Sequence, residues 1–337
     1  MKKSTIGLIC GIASLAAVSI PVTLSITSCS NAPKASPTNW FKYDESDSTI
    51  VTGLNEELIK DASELVFPEF VTDIALGTFG QPKIINNENY EMECWPNIKK
   101  IDLSLTKIKS LRNYVENEDG TIDGVFMYLS GLEEIVLPNN LTTIGDGAFS
   151  YCMKIKSVNL PKSVKTLGHA AFGFCSSLQD INLSNLETIG VDAFLGCNLN
   201  NVVLKNINYL TRPLASGQES ASTFSNCKNL KNLKIENDVK EIKGQMFADS
   251  GLEKVVIPSN IESIGFSAFS RNPLKQVIIE PNSKLNNLGE YAFSTDTNNY
   301  NPMFYVPNES IKKIFVDAGY QEQNIVIYNN INEIPNI

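Results

Sequence analysis

The sequence predicts a solenoid of stacked coils, each about 23 residues long. Three observations predict it: a phenylalanine recurs at a nearly constant interval, an apolar ladder follows it, and a glycine usually precedes it by four residues. The stretches TTIGDGAFSYCMKIKSVNL (142–160) and KTLGHAAFGFCSSLQDINL (165–183) show two consecutive copies. Such short repeats must stack, because a single coil has nothing to bury its apolar edge against.

The recurring phenylalanines extend over more than 200 residues. Successive members are 23, 23, 22, 30, 23, 22 and 24 positions apart, and Phe79 precedes the first of them by 47. The regular series is Phe126, Phe149, Phe172, Phe194, Phe224, Phe247, Phe269 and Phe293. A phenylalanine in the same place in every coil predicts a buried column along the solenoid, where each ring contributes about 1.5 to 3 kcal/mol.

An apolar ladder spaced L-x-x-I-x-L follows each of these phenylalanines except the last. The last two ladder positions lie two residues apart, so both point to one face of a short strand and the residue between them points away. We call the row of outward residues the ladder face. Its predicted members are Asp102, Val136, Asn159, Asn182, Val203, Lys234, Val256 and Ile278.

The remainder of each coil is predicted from its glycine and its phenylalanine. Gly145, Gly168 and Gly190, with their later counterparts Gly265 and Gly289, are expected to supply a tight corner in the backbone. The phenylalanine then lies on a short helical turn, and a second corner leads to the next strand.

These residues resemble a known repeat. The unit LPKSVKTLGHAAFGFCSSLQDINL, from Leu160 to Leu183, resembles the BspA-like, or treponemal-type, leucine-rich repeat. The resemblance covers roughly residues 62–328, and FYVPNESIKKIFVDAGY at 304–320 resembles the closing unit of the family. It implies a right-handed leucine-rich repeat solenoid with a parallel sheet on its concave side. It also implies display on the surface of a bacterium, of the mollicute type, and binding of host or partner macromolecules.

Three segments exceed the regular spacing: 80–97, 104–125 and 205–223. They are expected to bulge from the solenoid as loops. The resulting division of the chain is a signal peptide at 1–28, a lipidated N-terminus and flexible tether at 29–48, an irregular cap with early repeats at 49–125, regular repeats at 126–300 and a closing unit at 301–337.

The N-terminus predicts export and lipid anchoring. Lys2 and Lys3 precede an uncharged stretch from Ile6 to Ile26, which is the layout of a signal peptide. The following ITSC resembles a bacterial lipobox, in which Cys29 would receive the lipid. Two alternatives remain open: a retained membrane helix, and an ordinary signal peptide with an incidental cysteine. The expected location is the extracellular face of the cell membrane.

The charge of the chain disfavours nucleic acid as a partner. Removal of residues 1–28 takes away two lysines and no acidic residue, leaving 26 basic against 37 acidic residues, or −11. An acidic protein gains nothing from neutralising phosphates. The expected partners are therefore the membrane, through the lipid, and a host or partner protein or glycan. The chain is expected to be a monomer.

The cysteines and the single histidine do not predict catalysis or a metal. Cys152, Cys175, Cys197 and Cys227 each follow a column phenylalanine by three residues. Their Cβ vectors would run parallel, which favours buried free thiols over disulfides or a zinc site. His169 takes a slot that holds Asp146 and Val191 in neighbouring coils, so we interpret it as exposed filler.

No cofactor and no catalytic residue are predicted. The acidic stretch ENEDGTIDG at 116–124 fails the EF-hand pattern, because that alignment puts Ile122 where glycine is required and Tyr128 where glutamate is required. The chain is therefore expected not to be an enzyme.

The predicted function is that of a surface-displayed binding or adhesion protein. The candidate contact residues on the ladder face are Val203, Lys234, Val256 and Ile278, with Asn232, Lys254 and Gln276 at their rim. An exposed apolar cluster with a polar rim is typical of a contact surface, although β-branched residues also simply suit strands. A passive surface coat or antigen is the alternative function, and a solute-binding or enzymatic lipoprotein is a weaker one.

Overall fold

The computed structural model describes residues 33–79, 83–86, 89–91, 95, 97–117, 122–294 and 302–335, with backbone alone at 83–86 and 89–91. Residues Lys34–Ile337 form one compact unit. This unit is the predicted solenoid, with about 11 turns, mostly parallel strands and about 23 residues per coil.

Short strands account for most of the regular structure. In chain order they are β1 Phe41–Tyr43, β2 Ile50–Leu54, β3 Glu64–Val66, β4 Asp73–Ile74, β5 Lys83–Asn86, β6 Asn89–Glu91, β7 Lys100–Asp102, β8 Val115–Glu116, β9 Ile122–Asp123, β10 Glu134–Val136, β11 Thr143–Ile144, β12 Ser157–Val158, β13 Thr166–Leu167, β14 Asp180–Ile181, β15 Thr188–Ile189, β16 Asn201–Leu204, β17 Asn208–Tyr209, β18 Arg212–Pro213, β19 Glu219–Ser220, β20 Asn232–Ile235, β21 Glu241–Ile242, β22 Lys254–Ile257, β23 Ser263–Ile264, β24 Gln276–Ile279, β25 Asn287–Leu288, β26 Met303–Val306 and β27 Ile325–Ile327.

The described helices are few. The α-helices are α1 Glu56–Ile59 and α2 Glu309–Asp317, and the 3-10 helices are Thr38–Trp40, Glu322–Asn324 and Ile331–Glu333. Helix α2 begins where the side chain of Asn308 accepts a hydrogen bond from the backbone N–H of Ile311 at 3.0 Å. This bond satisfies one of the free donors of the first turn.

The predicted ladders form parallel strands. They associate as β3–β7–β10, β12–β14, β16–β20 and β22–β24–β26–β27. Equivalent ladder residues lie side by side, such as Ile135 opposite Ile101 and Val202 opposite Leu233. The strand phase predicted from the sequence is therefore confirmed, because the inward residues of one coil meet those of the next.

A second set of two-residue strands runs along another side of the coils. These strands associate as β2–β4, β11–β13–β15–β17 and β21–β23–β25, all in parallel. The second residue is fully buried in most of these strands, as at Ile144, Leu167 and Ile189, whereas Leu288 in β25 is only partly buried. The sequence analysis predicted only a corner here.

The segment that carries the phenylalanine is a series of turns, where the sequence predicted a short helical turn. In most coils the residues two positions before and two after the phenylalanine have positive φ; around Phe172, for example, φ is 48° at Ala170 and 59° at Phe174. A right-handed helix cannot continue through residues in the left-handed region, so the helical prediction fails for this segment.

The predicted phenylalanine column is confirmed. From Phe126 to Phe293 the rings stack with centroids 5.2 to 5.8 Å apart and interplanar angles of 12° or less. All eight rings are fully buried. Each coil thus contributes one ring to the column, and the column lies in the main hydrophobic core.

The corner glycines are required for close stacking and not for an unusual backbone angle. Gly145, Gly168 and Gly190 have no positive φ, contrary to the reason that the sequence suggested. A Cβ on Gly168 would lie 2.6 Å from the carbonyl carbon of Gly145, and one on Gly289 would lie 2.5 Å from that of Gly265. The glycines therefore let adjacent coils touch backbone to backbone.

The three inserted segments each contain an antiparallel hairpin: β5–β6, β8–β9 and β18–β19. The third hairpin is tied to the solenoid by Arg212, whose guanidinium contacts the Asp192 carboxylate at 2.5 Å. Burial raises the pKa of Asp192, and the charge of Arg212 opposes that rise. This hairpin is therefore anchored at its base by a partly buried ion pair.

The folded region begins earlier than the sequence predicted. Strand β1 lies within the range 29–48, which was expected to be flexible tether, yet it pairs with β2. The reason is Phe41, which is only 4% exposed and whose ring lies 4.7 Å from that of Phe67. Phe41 thus starts the aromatic packing of the core, although it has no repeat spacing to mark it.

Candidate binding surface

The ladder face exposes apolar side chains in the C-terminal half of the described solenoid. Val203 on β16 is 40% exposed, and Val256 on β22 is 37% exposed. Lys234 on β20 lies directly opposite Val203 in the strand register, and its Nζ contacts Glu236 at 2.9 Å. Three of the four predicted contact residues are therefore exposed on this face.

Ile278 is the exception, and its predicted exposure is wrong. It stands opposite Val256 in the register of β22 and β24, so it points outward as predicted, but it is only 5% exposed. Tyr328 and Ile334 pack over it, with Tyr305 and Ile331 beside them. The C-terminal residues return across this part of the sheet and cover it, which no periodic signal could indicate.

The predicted rim is altered by the same contact. Gln276 is 2% exposed, and its Nε2 donates a hydrogen bond to the carbonyl oxygen of Pro335 at 2.9 Å. At the other end of the ladder face, Asp102 is also buried, and its Oδ1 accepts a hydrogen bond from the backbone N–H of Ser104. Asn232 remains exposed and donates to the side chain of Asn201 at 2.7 Å.

A depression beside Val203 adds polar groups, of which the sequence analysis had placed only Asn182 on the ladder face. It has a volume of about 330 Å³ and lies where the ladder strands β14 and β16 are not paired. Asp180, Asn182, Asn201 and Glu236 are among its lining residues. The interval between Phe172 and Phe194 is a regular 22 residues, so the repeat spacing gave no signal for this gap.

The charged groups next to this face are paired across coils. Glu253, which directly precedes β22, contacts Lys275 at 2.6 Å and Lys231 at 3.7 Å. The hydrogen bond from Lys275 is the largest cause of a lowered pKa for Glu253. Lys231, Glu253 and Lys275 thus place positive, negative and positive charge in three successive coils beside the exposed valines.

His169 has a structural role, which differs from the filler that the sequence suggested. Its Nδ1 accepts a hydrogen bond from the backbone N–H of Val191 at 3.0 Å. In the same way, the side chain of Asp146 accepts a hydrogen bond from the backbone N–H of His169. The side chain of Asn113 accepts one from the backbone N–H of Asp146. Side-chain acceptors in this slot therefore connect successive coils, and this arrangement does not suggest a general base.

The four column cysteines Cys152, Cys175, Cys197 and Cys227 are buried thiols that form no disulfide, as predicted. Among the described residues no group of three or more His, Cys, Asp or Glu side chains could hold a metal ion. The acidic stretch 116–124 lies partly outside the described residues.

Cys29, the predicted site of lipid attachment, lies outside the described residues entirely. Within the described residues, no helix is long and apolar enough to cross a membrane.

The repeat family is shown by comparison with family models. The model of the BspA type leucine-rich repeat region matches residues 121–213 and 219–337, in six copies. The chain belongs to the BspA-type leucine-rich repeat family. Leucine-rich repeat solenoids of this kind are typically binding scaffolds and not enzymes.

Two solved structures of leucine-rich repeat proteins are similar to this BspA-type protein. A leucine-rich repeat protein from Bacteroides ovatus is 20% identical, with a TM-score of 0.51, over 79% of this chain and 69% of that chain. A leucine-rich repeat protein from T. pallidum is 18% identical, with a TM-score of 0.43, over 86% of this chain and 97% of that one. No curated protein matches the sequence.

Proposed function

We propose that this protein is a surface-displayed binding protein whose ladder face contacts a partner protein or glycan. The observation that carries the proposal is the exposure of Val203 and Val256 on two successive ladder sheets, β16–β20 and β22–β24–β26–β27, with Lys234 between them in the row. Exposed apolar groups with charged neighbours are typical of contact surfaces. Membership of the BspA-type family supports a binding role at a surface.

The same proposal includes attachment to the outer face of the membrane through a lipid on Cys29. Its support is the arrangement of Lys2, Lys3, the uncharged stretch and ITSC. Cys29→Ser should move the full-length protein from the detergent phase to the aqueous phase in a partition experiment. Retention of the variant in the detergent phase would instead favour an uncleaved membrane helix.

The binding role is tested by a screen of the full-length protein against extracellular proteins and glycans. Val203→Asp combined with Val256→Asp should weaken binding of any partner found by at least about 10-fold. The melting temperature should hardly change, because both side chains already contact water. The charged side chains would place two carboxylates where the partner must bury apolar surface.

A matched control uses apolar residues of similar exposure elsewhere. Leu58→Asp combined with Val316→Asp alters side chains that are 44% and 40% exposed, on α1 and α2. This pair should leave binding unchanged. If the Val203 and Val256 variant binds as well as the control, the contact lies elsewhere, with the hairpins as the next surface to test. A screen without any partner would favour a passive coat.

A further inference from the structure

The C-terminal residues Asn329–Pro335, which we call the cover, lie over the part of the ladder face that continues the exposed row. Ile278 stands beside Val256 in the register, and Tyr305 stands beside Ile278. The cover therefore occupies the direct extension of the surface that the proposed function assigns to a partner.

The contact under the cover is separate from the main core. Ile278, Tyr328 and Ile334 form their own small apolar cluster, with Tyr305 and Ile331 packed at its side. The phenylalanine column and the ladder residues belong to the other, much larger cluster. Opening of the cover would therefore leave the packing of the solenoid itself intact.

The backbone of the cover makes local hydrogen bonds. The N–H of Glu333 donates to the carbonyl oxygen of Asn330 at 3.0 Å, and the N–H of Ile334 donates to that of Ile331 at 3.3 Å. The N–H of Asn332 donates to the side chain of Asn330. Both partners of each bond lie within the cover, so none of these bonds ties it to the sheet.

The contact between the cover and the sheet is also imperfect. Gln276 donates its Nε2–H to the carbonyl oxygen of Pro335, but its buried Oε1 has no hydrogen-bond partner in the structure. A buried acceptor without a partner favours the state in which water can reach it. The covered state is therefore less stable than the area of apolar contact alone would make it.

We propose that the cover is displaceable and that the surface beneath it is a binding site for an apolar peptide segment of the partner. The cover itself shows the chemistry of the occupant: two isoleucines three positions apart, Ile331 and Ile334, followed by a carbonyl group that accepts from Gln276. A partner peptide of this kind replaces the cover and extends the contact row from Val256 to Tyr305. This inference rests on the proposed function of the ladder face.

Hydrogen exchange of the full-length protein tests whether the cover opens. The amides of Glu333 and Ile334 should exchange at least about 100-fold faster than those of Val277 and Ile278 in β24. Their rates should not depend on low concentrations of urea, because a local opening exposes little surface. Exchange as slow and as urea-dependent as that of β24 would show that the cover is an integral part of the fold, and the proposal would fail.

Peptide binding tests the site beneath the cover. The probe is the synthetic peptide NINEIPNI, which corresponds to residues 330–337. A chain that ends at Asn329 should bind one equivalent of this peptide at least about 10-fold more tightly than the full-length chain does, as measured by calorimetry. A peptide with aspartate in place of both Ile331 and Ile334 should not bind. Equal binding to both chains, or no binding to the shortened chain, would overturn the proposal.

A point variant covers the case in which the shortened chain does not fold. Ile334→Asp in the full-length protein should release the cover, leave the melting temperature nearly unchanged and allow the peptide to bind. Unfolding of this variant would overturn the proposal. These experiments need no natural partner, so a failed partner screen argues against the proposed function alone, whereas failed peptide binding argues against the cover.

Discussion

From Phe149 to Phe269, the residue three positions after the column phenylalanine is a hydrogen-bond donor as well as a small side chain. The thiols of Cys152, Cys175 and Cys197 each lie 3.1 Å from the carbonyl oxygen of the phenylalanine one coil earlier. Ser250 and Asn272 make the same bond with oxygen and nitrogen donors. This explains why serine and asparagine can replace cysteine in later coils.

The burial of these thiols predicts a loss of stability at alkaline pH. Burial raises the pKa of Cys175 and Cys227 to about 12 and also raises that of Cys197. An unfolded thiol titrates near pH ~8.5. Below that pH both states hold the proton and stability does not change; between about pH 8.5 and 12 only the unfolded chain releases it, so the free energy of unfolding falls.

The expected loss is about 1.4 kcal/mol per thiol at pH ~9.5, or roughly 4 kcal/mol for the three. Urea unfolding at pH 7.5 and 9.5 would measure it. The matched control replaces Cys175, Cys197 and Cys227 by serine, which keeps the donor, as Ser250 does. If the serine variant lost as much stability between the two pH values, the thiols would not be the cause.

At the scale of the coil, the glycine column determines how closely neighbours approach. A Cβ at Gly168 would meet backbone atoms of the preceding coil, whereas one at Gly217 on the third hairpin would meet nothing within 4 Å. Gly217 has a φ of 80°, while Gly168 has no positive φ. Gly168 is therefore required because there is no room for a side chain, whereas Gly217 is required because of its positive φ.

Gly168→Ala should accordingly cost about 3 kcal/mol or more, because backbone cannot move aside as a flexible side chain can. Gly217→Ala should cost about 1 to 2 kcal/mol, which is the strain of a left-handed alanine. Urea unfolding of the two variants measures both values. A larger loss for Gly217→Ala would mean that the coils can separate to admit a methyl group.

The elements that could be predicted from the sequence are those that repeat. The ladder strands and the phenylalanine column follow from one residue type at one interval, and the exposure of Val203 and Val256 follows from the strand phase. Ile278 has the same phase but is buried, because Tyr328, 50 positions later, packs on it. Phe41 is likewise a single aromatic residue outside the repeat. Contacts made once carry no periodic signal, so neither could be predicted.

At the scale of the whole molecule, aromatic side chains close both ends of the column. Phe41 lies against Phe67 at the start, and at the other end Phe315 of α2 lies 6.1 Å from Phe293 and 4.9 Å from Phe304. Internal rings have a neighbour on each side; Phe172 lies 5.2 Å from Phe149 and 5.8 Å from Phe194. A stack of this kind is stabilised chiefly by contacts between neighbouring coils.

A change in the middle of the column should therefore differ from one at its end. Phe172→Ala removes a ring packed on both sides and should cost about 3 to 5 kcal/mol in urea unfolding. Hydrogen exchange should then speed up most in β12, β14 and β16, the ladder strands of the altered coil and of its two neighbours, because each coil is stabilised chiefly by the coils next to it.

Phe315→Ala should instead loosen the C-terminal coils. Exchange should speed up most in β24 and β26, which lie next to the altered end, while β12 and β14 keep most of their protection, since a solenoid transmits a loss of contact only from neighbour to neighbour. The measurement is amide hydrogen exchange of both variants, with the protection of each strand compared between them. If Phe315→Ala lowered protection in β12 and β14 as much as in β26, the solenoid would unfold as one unit and the nearest-neighbour description would be wrong for this protein.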